Sequence, residues 1–119
     1  MGKTVRVGEF VMNPETSDYL VVLVTAASEQ EAKTLAQELL NKKLAACVNS
    51  FPVQSTYLWE GAVQQEQEFQ LIIKTSQACF SALEKAIVSL HSYDVPEIIA
   101  IPIIRGSQAY LNWLSSSLH

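Results

Sequence analysis

The stretch of sequence that decides the fold covers residues 57–75 and reads YLWEGAVQQEQEFQLIIKT. Polar and apolar side chains alternate over residues 68–71, and the run then continues as apolar at residues 72–73. Alternation with a period of two is typical of a β-strand that buries one face. Because Gly61 and a polar segment precede this strand, the stretch predicts a long β-hairpin whose turn covers residues 60–67.

The segments on both sides of the hairpin predict a β-α-β-β-α-β order. Residues 19–25 (YLVVLVT) form a continuous apolar run, as in a central strand covered on both faces. Ser28 and Glu31 fit a capping box at the start of a helix. The apolar side chains of that helix recur with helical spacing at Ala32, Leu35, Ala36, Leu39 and Leu40.

The remaining elements are less regular. Residues 45–59 predict one long strand, interrupted at Pro52, which marks a bulge, a bend or a sheet edge. Ser76 predicts the cap of a second helix, and residues 98–104 predict the last strand. The inward side chains predicted for the second helix are Phe80, Leu83, Ile87 and Leu90.

This order of elements predicts an α+β fold of the ferredoxin-like type, with the helices on one face of an antiparallel sheet. An additional C-terminal helix follows Ser107. The domain is predicted to cover residues 19–119, and residues 1–18 are interpreted as an arm that is either flexible or an extra edge strand. The edges of a long hairpin need a cover, which a second subunit would provide.

Composition narrows the possible functions. The 119 residues suffice for one domain, and 49% hydrophobic against 17% charged residues favours an oligomer over a well-packed monomer. The formal net charge is −4 and Lys42-Lys43 is the only adjacent basic pair, so no nucleic-acid partner is expected. Without an apolar leader or a membrane-spanning stretch, the predicted location is cytoplasmic, and Cys47 and Cys79 are interpreted as free thiols.

The segment HSYDVPE at residues 91–97 is the candidate metal site. The imidazole of His91 and the carboxylates of Asp94 and Glu97 could bind copper or zinc, with Tyr93 beside them. The alternative is a loop whose histidine caps the preceding helix. Because no cysteine or second histidine flanks the segment, the metal signal is weak.

The hairpin supplies further candidates. Glu68 and Lys74 lie on the same face of one strand but about 20 Å apart, so each is expected to meet a different partner. Four aromatic side chains predict either a rim around a ligand site or ordinary packing, which is favoured: Tyr57, Trp59, Tyr93 and Trp113. There is no glycine-rich phosphate loop and no catalytic motif, so no catalytic residue is assigned.

Several segments together resemble the CutA family of divalent-cation tolerance proteins. The resemblance covers about a hundred residues in the same order, and its stretches are KKLAACVN at 42–49, YLWEG at 57–61, LIIKT at 71–75, HSYDVPE at 91–97 and YLNWL at 110–114. It implies a ferredoxin-like subunit in a tight homotrimer held by the long hairpin, similar in assembly to PII signalling proteins. It also implies a link to copper and other divalent metals, and no enzymatic reaction.

The resemblance also shows a departure. The resemblance implies that the bacterial copper site of the family uses a cysteine at the end of the first strand and two adjacent histidines after the second helix. The aligned positions here are Val24, Leu90 and His91, so only one ligand is retained. A single imidazole does not bind copper selectively.

Three hypotheses follow. The first is a non-enzymatic cytosolic trimer that responds to divalent metal ions, with a ligand in the inter-subunit cleft near His91, Glu97 and the hairpin candidates. The second is a PII-like sensor that binds an anion or metabolite between subunits. The third, a hydrolase of the acylphosphatase kind, is disfavoured because the arginines that it needs are limited to Arg6 and Arg105.

Overall fold

The structure is a computed structural model that describes residues 18–118. Its elements follow the predicted order, with a short 3₁₀ turn (Gln77–Cys79) before the second helix: β1 (Tyr19–Ala26), α1 (Glu29–Asn41), β2 (Cys47–Trp59), β3 (Ala62–Ser76), α2 (Phe80–Leu90), β4 (Ile99–Pro102) and α3 (Gln108–Ser116). The arm predicted for residues 1–18 lies outside the described residues except for Asp18.

The four strands form one sheet in the order β2-β3-β1-β4, and every neighbouring pair is antiparallel. β1 lies between two strands, as its continuous apolar run predicts. Pro52 lies on the edge strand β2, which confirms one of the predicted alternatives. The interruption predicted at Pro52 is wrong, because β2 pairs with β3 without a break and Pro52 lies opposite Phe69. On an edge strand the missing N–H of proline is tolerated.

The turn of the hairpin is shorter than predicted. Only Glu60 and Gly61 connect the strands, and both have positive φ angles, 51° and 81°. Such a two-residue turn matches the right-handed twist of the strands. Residues 64–67 belong to β3 although all four are polar. The tip of the hairpin lies away from the core, so its side chains need no apolar pattern.

The core lies between α1, α2 and one face of the sheet. Val22 pairs with Ile73 and Val24 with Leu71 across β1 and β3, and all four side chains are fully buried. The helices add Leu35, Leu39, Leu83 and Ile87. The inward position predicted for Leu90 is wrong: at the end of α2 its side chain is exposed. Cys47 and Cys79 are free thiols, as predicted.

Alternate residues of the strands point to the opposite face, which neither α1 nor α2 covers. Leu23 on β1 lies between Ile72 of β3 and Ile99 of β4. Ile99 and Ile101 remain 52% and 45% exposed, so this face has an apolar surface open to solvent in a single chain. At the tip of the hairpin three further apolar side chains are exposed: Leu58, Trp59 and Val63.

Candidate functional site

His91, the first residue after α2, anchors the following loop to β1. Its side chain is completely buried. The Tyr93 N–H donates to Nδ1 at 3.0 Å, which leaves the proton on Nε2, and Nε2 lies 2.7 Å from the carbonyl oxygen of Thr25. Both ring nitrogens of His91 therefore bind backbone groups. His91 caps α2 through its backbone N–H, which donates to the Ile87 carbonyl, whereas its ring binds β1 and the loop.

Glu31 holds the same loop from α1. Its carboxylate accepts hydrogen bonds from the Ser92 N–H at 2.7 Å, the Ser92 hydroxyl at 3.1 Å and the Ala27 N–H at 2.9 Å. Burial alone would raise the pKa of Glu31, but the hydrogen bonds from Ala27 and Ser92 lower it below its ordinary value. The capping box is confirmed for the Ser28 hydroxyl, which accepts from the Glu31 N–H, whereas the carboxylate binds Ala27 rather than Ser28.

The anchored loop places Tyr93 against the hairpin. The Tyr93 hydroxyl donates to Glu68 Oε2 at 2.5 Å, and Glu68 is only 7% exposed. Burial, then the hydrogen bond and the negative charge of Glu68, raise the pKa of Tyr93, so its hydroxyl stays protonated as a donor. On the hairpin itself the Tyr57 hydroxyl donates to Glu66 at 2.8 Å, and this bond raises the pKa of Tyr57.

These pairs lie in a cleft between the hairpin and the loop that follows α2. Its volume is about 740 Å³, and it is lined by residues from β1, the hairpin and the loop: Thr25, Ser55, Thr56, Tyr57, Trp59, Gln64, Glu66, Glu68, Tyr93, Asp94, Val95 and Glu97. Among residues 18–118, four carboxylates and no lysine, arginine or histidine belong to this lining. The cleft is therefore acidic and partly aromatic.

The structure brings together six of the residues that the sequence nominated, namely Tyr57, Trp59, Glu68, Tyr93, Asp94 and Glu97. The other three lie outside the cleft lining. His91 is buried behind the loop, Lys74 donates to Asn49, and Trp113 packs on Tyr110 with ring centroids 5.4 Å apart. Glu68 and Lys74 thus have different partners, as their spacing predicts.

The described residues of one chain do not fit a transition-metal site. No three His, Cys, Asp or Glu side chains lie close enough within residues 18–118 to hold a metal ion. Val24, which the sequence resemblance predicts to replace a copper-binding cysteine, is fully buried in the core. The metal-ligand roles of His91 and Glu97 therefore remain predictions.

Sequence reasoning missed how the loop is anchored. It assigned Glu31 only to a helix start, but the Ser92 partner is 61 residues away and no local pattern indicates it. The contact of His91 with the Thr25 carbonyl involves backbone, which leaves no signature in side-chain identity. The polar part of the cleft wall, including Ser55, Thr56 and Gln64, was not nominated either.

A profile of the family described as CutA1 divalent ion tolerance protein matches residues 20–117. The chain belongs to the CutA1 family. The divalent-cation tolerance protein CutA of Thermus thermophilus is 46% identical over 95 residues, which are 79% of this chain and 92% of that protein. The chloroplastic CutA of Arabidopsis thaliana is 46% identical over 87% of this chain, which spans 57% of the plant protein.

Solved structures of CutA1 proteins have the same fold. The periplasmic divalent cation tolerance protein CutA from Archaeoglobus fulgidus superimposes with a TM-score of 0.83 at 40% identity, covering 85% of this chain and 99% of that chain. The predicted resemblance to the CutA family is therefore confirmed. Within residues 18–118, no helix combines the length and the apolar character needed to cross a membrane.

Proposed function

We propose that this member of the CutA1 family acts in the tolerance of divalent metal ions by binding a cation in the acidic cleft, without catalysing a reaction. The observation that carries this proposal is the lining of the cleft, to which the described part of the chain contributes four carboxylates and no basic side chain. A concave surface of one charge sign concentrates ions of the opposite sign. Membership of a family of divalent-cation tolerance proteins supports a cation as the ligand.

The working form in this proposal is a ferredoxin-like homotrimer. The strand order β2-β3-β1-β4 supports the ferredoxin-like description. The sheet face with Leu23, Ile99 and Ile101 supports assembly, because a soluble monomer rarely exposes an extended apolar patch. The exposed tip of the hairpin would then reach a neighbouring subunit and close the cleft.

The cytoplasm is the proposed location. The mild acidity of the chain disfavours nucleic acid as a partner. The names of relatives differ on location, since one is called periplasmic and another chloroplastic. No feature of the described residues specifically favours the alternative of a PII-like metabolite sensor.

Copper or another divalent ion would be held, in this proposal, by carboxylates that neighbouring subunits bring together. Glu97 is the nominated ligand, because it lines the cleft. His91 could join only if its ring left Thr25 and the Tyr93 N–H, so its expected role is structural.

Calorimetric titration of the assembled protein with copper and zinc tests the proposal. Binding in the micromolar range is expected, weakened about tenfold or more by Glu97→Gln and unchanged by the exposed control Glu84→Gln. His91→Ala should lower the thermal midpoint while leaving the metal affinity of the folded fraction unchanged. Absence of heat with either metal, or equal effects of Glu97→Gln and the control, would reject a metal site in this cleft.

A further inference from the structure

Glu68 is buried with too few partners for a charged group. It is 7% exposed, and its only hydrogen bond within residues 18–118 is the one that Oε2 accepts from Tyr93. Its Oε1 has no partner there. A buried carboxylate needs a cation or several donors to offset the loss of hydration. Because Glu68 lines the cleft, the missing partner is expected to enter through it.

The other carboxylates around Glu68 add to the negative charge that has no positive partner. Glu66, Asp94 and Glu97 line the same cleft, and no basic side chain of residues 18–118 does. The phenol of Tyr93 that reaches Glu68 is a neutral donor, so it supplies no positive charge. This lining favours a cationic ligand.

Within one chain, the carboxylates of the cleft are spaced for an elongated cation. Residues 18–118 contain no group of three metal-ligating side chains close enough to surround one ion. Glu66 and Glu68 are two residues apart on β3, which separates their backbones by about 7 Å. Two anionic groups at such a spacing match a molecule that carries positive charge at both ends.

The aromatic part of the lining favours an organic cation. Tyr57, Trp59 and Tyr93 line the cleft together with the carboxylates. Aromatic rings attract ammonium groups through their electron-rich faces and offer apolar contact to alkyl chains. The volume of about 740 Å³ lies in the usual range for a small-molecule site.

We propose that the cleft binds a linear alkyl diamine or polyamine, with one ammonium group against Glu68 and the alkyl chain along the tyrosine and tryptophan rings. This inference rests on the proposed role of the cleft as the ligand site, but it names an organic cation in place of a metal ion. The second ammonium group would lie near Glu66 or Glu97, where the remaining negative charge is found.

Fluorescence of Trp59 tests the proposal in the full-length assembled protein. The chain has two tryptophans, so a Trp113→Phe background leaves Trp59 in the cleft as the reporter. Titration with 1,4-diaminobutane should change the emission to saturation. The uncharged analogue 1,4-butanediol should cause no saturable change, because it lacks the ammonium groups.

Two variants assign the site. Glu68→Gln should weaken diamine binding at least about tenfold, whereas the control Glu84→Gln on the exposed side of α2 should leave it unchanged. Without ligand, Glu68→Gln should keep or raise the thermal midpoint, since it removes an uncompensated buried charge. A purely structural role of Glu68 would instead lower the midpoint and spare the affinity. If Glu68→Gln does not fold, Glu97→Gln should weaken binding about threefold.

The diamine titration and the metal titration test different proposals, so either proposal can be rejected without the other. No saturable change with the diamine, an equal response to the diol, or equal affinities of Glu68→Gln and Glu84→Gln would overturn the diamine site, whatever the calorimetry with copper and zinc shows. Saturable, Glu68-dependent diamine binding without any metal heat would support the diamine site and reject the metal.

Discussion

At the scale of single residues, Glu31 links two parts of the chain that are far apart in sequence. Its carboxylate satisfies the Ala27 N–H at the start of α1 and both the N–H and the hydroxyl of Ser92 in the loop after α2. This loop carries Tyr93 into the cleft. The Glu31 side chain, at the start of α1, thereby fixes the position of the loop that forms one wall of the cleft.

Replacing this carboxylate should destabilise the fold. Glu31→Gln keeps one acceptor oxygen but loses the charge and at least one of the three bonds, so we expect a loss of about 1–3 kcal/mol in the free energy of unfolding. Glu29→Gln is the matched control, because Glu29 makes only an exposed ion pair with Lys33. Urea denaturation at neutral pH measures both. Similar losses in the two variants would contradict the role given to Glu31.

The same contacts predict a pH dependence. The pKa of Glu31 is lowered in the folded protein, so between the two pKa values the unfolded chain binds more protons. The stability that Glu31 contributes is therefore present above its ordinary pKa of 4.5 and is lost as the pH falls through the lower folded value. The gap between wild type and Glu31→Gln should shrink in acid. A gap that is constant down to pH values where wild type unfolds would count against the charged contacts.

At the scale of elements, the hairpin is defined by a turn of two residues. Glu60 and Gly61 both adopt positive φ angles, and a Cβ on Gly61 would meet no atom within 4 Å. The cost of a side chain at Gly61 is thus conformational and not steric.

Gly61→Ala should destabilise the protein by about 1 kcal/mol, because alanine disfavours the left-handed conformation. Gly61→Asn should cost less, since asparagine tolerates that region best among residues with a side chain. Thermal unfolding of both variants tests the turn geometry. Equal midpoints for wild type and Gly61→Ala would show that the turn is not formed as described.

The elements also show how far sequence reasoning reached. The helices and strands of the domain could be predicted because their apolar patterns repeat with the periods of α1 or of β1 and β3. The turn could not be placed, since residues 64–67 are polar for a reason that only the tertiary structure shows, namely their distance from the core. Half of the residues that line the cleft could be predicted, because they are aromatic or acidic. The sequence predicted His91 as a metal ligand. Its hydrogen bond to the backbone carbonyl of Thr25 could not be predicted, because no sequence pattern indicates it.

At the scale of the whole molecule, the open face of the sheet determines how copies of the chain would associate. Ile99 and Ile101 on β4 and Leu23 on β1 lie together on the face that α1 and α2 leave open. In the proposed trimer, burial of this surface between subunits would stabilise the assembly.

A charge on this face should separate the subunits. Ile99→Glu replaces a side chain that is 52% exposed in one chain, so the isolated subunit should tolerate it, whereas an apolar interface should not. Val88→Glu is a matched control, because Val88 is 51% exposed on α2. Sedimentation equilibrium should show a trimer for wild type and Val88→Glu, and smaller species for Ile99→Glu. A wild-type mass near the 13.2 kDa of one chain would reject the trimer.

β3 serves the core and the cleft at once. Leu71 and Ile73 face the helices, and Glu66 and Glu68 line the cleft from the same strand. A shift of the strand register by one residue would move Leu71 and Ile73 to the cleft face and Glu66 and Glu68 to the core face. The register that buries the apolar side chains therefore also holds the two carboxylates in the cleft. The floor of the cleft cannot rearrange while the helices remain packed. Exchange of the buried β3 amide protons with solvent would accordingly require cooperative opening of the whole domain, which makes the site as long-lived as the fold.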